Sequence, residues 1–94
     1  MRKKPKLAKN IDKDVVLCEI TNRIVSNRTS NLLLHESVPF SKNWHRVPFF
    51  KRRTYNGARN VCVISISRTQ YSRARRVLNL LEDRDYNRLL LNII

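Results

Sequence analysis

The stretch Asn60-Val61-Cys62-Val63-Ile64-Ser65-Ile66-Ser67 runs directly into Arg68-Thr69-Gln70-Tyr71-Ser72-Arg73-Ala74-Arg75-Arg76-Val77-Leu78-Asn79-Leu80-Leu81. Its first part is rich in β-branched residues and alternates with period two, which predicts a strand. Cys62, Ile64 and Ile66 share one face. Val61, Val63, Ser65 and Ser67 share the other, which grows polar toward its end. Then the period changes. Tyr71, Ala74, Leu78 and Leu81 recur at helical spacing, with Val77 and Leu80 beside them. Arg68, Ser72, Arg75, Arg76 and Asn79 cover the opposite side. Ser67, followed three residues later by Gln70, has the pattern of a capping box at the start of that helix. A strand that feeds a helix in a chain of 94 residues predicts a small single α+β domain.

Working outward, residues 15–21 are apolar and β-branched and read as a first strand. Thr21-Asn22-Arg23 reads as a turn, with Ile24-Val25 returning as a short partner strand to complete a short hairpin. Ser26 to Asn31 is polar and turn-prone. Pro39 and Pro48 push Val38 and Val47 toward extended geometry, so residues 37–60 read as an extended, irregular basic loop. Within it, Asn56-Gly57 signals a tight turn, because both residues tolerate positive φ. Beyond the predicted helix, Asp83 or Asp85 would cap a second one. Its apolar stripe would be Tyr86, Leu89, Leu90 and Ile93. The expected architecture is a short hairpin, an extended basic loop, a further strand and one or two C-terminal helices.

Charge narrows the function classes. Twenty Lys and Arg face seven Asp and Glu, a net +13. The segment from Arg2 to Lys13 holds six basic residues and one acid, Asp12. From Ser37 to Leu81 there are ten basic residues and no acid. An ordinary solvated face mixes signs, because net charge costs self-repulsion in the compact state. Such an imbalance points to a polyanionic partner. The longest apolar runs are four residues, Val15–Cys18 and Val61–Ile64, with runs of three at Leu32–Leu34 and Leu89–Leu91, against the roughly 20 that a membrane-spanning helix needs. No membrane partner is expected. The start, Met-Arg-Lys-Lys-Pro-Lys, lacks the apolar run of a secretory signal. Two cysteines are too few for a disulfide scaffold.

Catalytic and metal chemistry find little support. His35 beside Glu36 suggests a nuclease base, but His45, its only possible partner histidine, sits in a Pro-bounded basic loop. No paired carboxylates and no Gly-rich phosphate loop accompany it. Cys18, His35, His45 and Cys62 lack the close ligand pairs of structural zinc sites; Thr21 stands where a second Cys would complete C-x-x-C. The cysteines read as small buried residues. No catalytic residue, metal ligand, cofactor or small-molecule substrate is expected.

The middle of the chain interleaves cations with aromatics: Lys42, Trp44, His45, Arg46, Phe49, Phe50, Lys51, Arg52, Arg53 and Tyr55. Cations neutralise phosphate, and aromatic and guanidinium planes stack on unpaired bases. Two of Trp44, Phe49 and Phe50 are expected in the core, with the cations exposed. The candidate RNA-binding residues are Arg2, Lys3, Lys4 and Lys6 in the arm, then Lys42, Trp44, Arg46, Lys51, Arg52, Arg53, Tyr55, Arg59, Arg68, Arg73, Arg75 and Arg76. Residues 1–14 form a basic arm and residues 15–94 a single small RNA-binding domain. A DNA-binding module with 68–81 as its recognition helix is the alternative, but it needs a preceding helix where the sequence has a strand.

Val16-Leu17-Cys18-Glu19-Ile20-Thr21-Asn22-Arg23 resembles the opening of the bacterial and organellar large-subunit ribosomal protein family numbered twenty-eight. Ser26 to Asn31 stands where that family has a Gly-Asn-rich turn, Trp44 to Tyr55 where it has a basic aromatic loop, and Val61 to Ser67 where it has a strand. Asn22 replaces the family's usual Gly, and the arm before Cys18 is additional. The resemblance covers residues 15–80 and implies a divergent, mitochondrial or other organellar member. It implies a structural protein of the large ribosomal subunit, with rRNA and other ribosomal proteins as partners and no catalysis. A small-subunit ribosomal protein and a bacterial cytoplasmic setting are the alternatives.

Overall fold

The computed structural model describes residues 14–91; the arm residues Arg2, Lys3, Lys4 and Lys6 lie outside them. The elements follow the order β1 (Asp14–Ile20), α1 (Arg23–His35), β2 (Ser41–Arg46), β3 (Asn60–Ser67), α2 (Tyr71–Leu78), α3 (Asp83–Tyr86) and β4 (Leu90–Leu91). Short 3-10 turns occupy Phe49–Lys51 and Arg68–Gln70. The strands form one antiparallel sheet in the order β2-β3-β1-β4. This is the α+β class expected, laid out as a split β-α-β-β-α-β unit.

The hairpin is not where the local signals placed it. Ile24 and Val25 lie in the first turn of α1, and Ser26 to Asn31 continue that helix instead of turning. Asn22 caps it, its Oδ1 accepting from the Val25 amide at 3.0 Å. The buried side of α1 is Val25, Ser26, Thr29, Ser30 and Leu33. Its hydroxyls donate back into the helix: Ser26 to the Arg23 carbonyl at 2.9 Å, Thr29 to Val25 at 2.8 Å and Ser30 to Asn27 at 3.1 Å. Small polar side chains satisfied this way can face a core without orphan groups. At the other end Ser37 takes φ 60°, Val38 N–H bonds the Leu33 carbonyl at 2.9 Å and Ser37 N–H bonds Leu34 at 3.1 Å. This is a Schellman stop with serine in the position glycine usually holds.

The hairpin that does form joins β2 to β3, from Ser41↔Ser65 to Arg46↔Asn60. Part of the expected irregular segment is therefore strand, because β3 supplies every partner that the polar sequence Ser-Lys-Asn-Trp-His-Arg needs. The helix follows Ser67 as expected, but Ser67 accepts from the Thr69 amide at 3.3 Å across a 3-10 turn. The second C-terminal helix ends at Tyr86, and Leu90 and Leu91 pair with β1 as an edge strand. Asn56 and Gly57 adopt φ 56° and 82°, the turn their identities predict.

The two longer helices pack on one face of the sheet, where Cys18 and Ile20 of β1 join Cys62, Ile64 and Ile66 of β3. Val25 and Leu33 of α1 and Ala74, Val77 and Leu78 of α2 complete this core. A bulge between Val16 and Cys18 leaves Leu17 as an extra residue in β1, fully buried. The other face carries Val16, Glu19, Val63 and Ser65. Val47 and Val61 are buried there at the root of the β2–β3 loop, apart from the main core. Among the described residues, no helix is long and apolar enough to cross a membrane.

Candidate nucleic-acid interface

The β2–β3 loop, residues 47–59, is pinned at three points. Val47 N–H bonds the Arg59 carbonyl at 2.7 Å, Gly57 N–H bonds Arg52 at 2.7 Å, and the Tyr55 hydroxyl donates to both Glu19 oxygens at 3.1 and 3.2 Å. Burial first, and then the bond to Glu19, push the Tyr55 phenol above its ordinary value. Tyr55 is thus an anchor against β1 and its hydroxyl is committed.

Early in this pinned loop, directly after Pro48, Phe49 and Phe50 are 79% and 74% exposed. Trp44 on β2 is 38% exposed. None of the three is in the core, contrary to expectation. The core is closed by the two helices on one face, and the 3-10 turn after Pro48 carries the phenylalanines away from it. Lys51 and Arg53 beside them are exposed, as are Arg46 and Arg59 at the loop's root. Arg52 is half-buried, and its Nε has no hydrogen-bond partner.

The remaining candidates sort differently. Lys42 reaches under α1, donating to Asn27 Oδ1 at 2.9 Å and Ser30 Oγ at 3.1 Å. Trp44 lies under the guanidinium of Arg23, 5.5 Å from ring centroid to carbon. Arg73 donates to the Glu36 carbonyl at 2.7 Å and the Ser37 carbonyl at 3.4 Å, helping to close the end of α1. Arg75 donates to the Tyr71 hydroxyl at 2.9 Å. Arg68 and Arg76 are exposed. Arg68 sits at the far end of β3 from the loop, roughly 20–25 Å along the strand. The predicted residues therefore form one loop cluster and several scattered cations.

Sequence reasoning missed Arg23, Arg28, Arg84 and Arg88, whose local segments mix basic and acidic residues. Arg28 of α1 pairs with Asp85 of α3 at 3.1 Å, and the Asp85 carboxylate is almost fully buried. Arg84 Nε lies 3.4 Å from Glu82. His35 is at the exposed end of α1, 3.3 Å from Glu36, and His45 is near the opposite end of β2. Cys18 and Cys62 lie buried on neighbouring strands. Burial, reinforced by the neighbouring Cys62 and Glu19, pushes the Cys18 thiol up to about 12. Burial also raises Cys62, against the opposing influence of Lys42 and a hydrogen bond with Ser26. Among the described residues, no three His, Cys, Asp or Glu side chains converge as a metal site would require. Comparison with protein-family models, with curated proteins and with solved structures finds no match to this chain.

Proposed function

We propose that this protein binds and braces folded rRNA as a structural constituent of the large ribosomal subunit, in a mitochondrion or other organelle, without a catalytic step of its own. The observation that carries the reading is the exposed Phe49-Phe50 pair flanked by Lys51 and Arg53 on a pinned loop. Adjacent aromatic rings held in water beside cations suit bases and phosphates together. The outer sheet face carries Val16, Glu19, Val63 and Ser65 and no aromatic ring on β1 or β3, so stacking is assigned to the loop instead of the sheet. The net charge of +13 supplies the long-range attraction. Other ribosomal proteins would contact the surfaces that RNA leaves open.

The test replaces Lys51 and Arg53 with Gln, leaving half-buried Arg52 in place. Titration with structured rRNA fragments at several salt concentrations should show a log–log slope reduced by about 2. The loss should be similar across sequences, since phosphate contacts position a protein without reading bases. An unchanged slope would remove the loop from the interface and the reading with it. Sedimentation with ribosomal subunits in high salt checks the subunit: association with the small subunit alone would reject the large-subunit assignment.

A further inference from the structure

Two concave surfaces lie beyond the Phe49–Arg53 cluster and share residues. One, of about 360 Å³, is walled by Asn22, Tyr55, Asn56, Asn87 and Arg88, so it opens directly from the basic loop. The next, of about 210 Å³, is lined by Asn22, Ile24, Arg28, Arg84, Asp85 and Arg88. Asn22 and Arg88 line both, so the two clefts adjoin across the β1–α1 junction and the segment before β4, and together they form the groove considered below.

The charge of the groove is uneven. Three guanidiniums face one carboxylate in its second half. Arg28 is committed to Asp85 by bonds of 3.2 and 3.1 Å. Arg88 has no side-chain hydrogen bond or ion pair among the described residues, and the contact of Arg84 with Glu82 joins two largely exposed side chains. An exposed pair of that kind is worth little and can be exchanged for a stronger anion. Beyond Arg84 the surface continues into a third cleft in which Arg28 and Arg84 face Glu82 and Asp85, and the excess positive charge ends there.

Polar groups in the first half add a second kind of recognition. Asn56 and Asn87 are exposed, and each amide offers both donors and an acceptor. The Watson–Crick edges of bases carry matching groups and are free only in an unpaired strand. Tyr55, fixed through its hydroxyl by Glu19, gives a wall that does not need to be ordered on binding.

We infer that an unpaired stretch of RNA continues from the Phe49–Arg53 loop through this groove, its bases toward Asn56 and Asn87 and its phosphates on Arg88 and Arg84. The inference rests on the RNA-binding reading above, and it names the form of RNA and a path that the loop alone does not define.

The test compares an RNA hairpin with the same hairpin carrying an oligouridine flank at either end. Wild-type protein should bind a flanked hairpin about tenfold more tightly. Arg84→Gln with Arg88→Gln should abolish that gain and leave the plain hairpin bound as by wild type. Lys51→Gln with Arg53→Gln should weaken both RNAs and preserve the gain. If the double variant loses its melting transition, Arg88→Gln alone, at a side chain without a hydrogen bond or ion pair among the described residues, should reduce the gain by about half. A gain retained in the Arg84/Arg88 variant, or no gain in wild type, overturns the groove while the loop reading stands. No effect of the loop variant on either RNA overturns the loop reading and with it the path from the loop, even where the Arg84/Arg88 variant still loses the gain. Polyglutamate that displaces the flank as well as free oligouridine does would overturn the proposal in favour of an acidic protein segment.

Discussion

Cys18 shows how position, not identity, sets a residue's chemistry. An exposed thiol ionises readily; here a fully buried place on β1 raises the group to about 12 from an ordinary 9.0. The native state therefore keeps a proton that the unfolded chain releases. Stability contributed by this group is complete below about 9 and falls as pH rises through the interval from 9.0 to about 12. Urea midpoints across that range should decline in wild type and decline less in Cys18→Ala. A wild-type midpoint that does not change with pH would show that the thiol is not shielded. The same contrast separates Val47 from Phe49. Val47 is buried at the root of the loop and Phe49, two residues later, is exposed, although both are apolar and both adjoin Pro48.

Among the elements, α1 and α2 bury their faces by different means. The buried residues of α2 are Ala74, Val77 and Leu78, an apolar stripe with arginines opposite. Leu78→Asp should remove the cooperative melting transition, since it places an unpaired charge in the core. Arg76→Gln, on the exposed side, should change stability by less than about 0.5 kcal/mol. Circular dichroism melts of the two variants decide it, and equal destabilisation would mean that the faces are reversed. On α1, three of the five buried residues carry hydroxyls, so its helical period does not show as apolar periodicity. The edge strand β2 is similar. It turns Lys42 and Trp44 toward α1, a long aliphatic stem and a ring in place of Val or Ile.

For the molecule as a whole, the tie between Arg28 and Asp85 joins α1 to the segment that leads into β4. Asp85 is 4% exposed and Arg28 is its only ion-pair partner among the described residues. Arg28→Gln leaves a buried carboxylate short of its charged partner and should cost about 1–3 kcal/mol. Adding Asp85→Asn should return part of that loss, and urea midpoints for the single and double variants measure the coupling. Equal losses that simply add would show that the pair does not link the two segments. The tie also keeps one of the groove's three arginines occupied, which leaves Arg84 and Arg88 for an anionic ligand.

The strand at 60–67, the helix that follows it, the left-handed turn at Asn56-Gly57, the α+β class and the excess of positive charge can all be read along the chain. Each depends on residues near one another in the chain: alternation, helical spacing, a local backbone preference or a sum. Contacts between distant segments are what make residues 23–35 a helix, Ser41–Arg46 a strand and Leu90-Leu91 the closing edge of the sheet. The same holds for the exposure of Phe49 and Phe50 and for the placing of Arg88 in one cleft with Tyr55 and in the adjoining one with Arg84. These features share one cause. α1 satisfies its buried hydroxyls with its own carbonyls, β2 receives its partners from β3, and the groove gathers side chains from three separate segments. None of those relations has a period or a spacing that can be read along the chain.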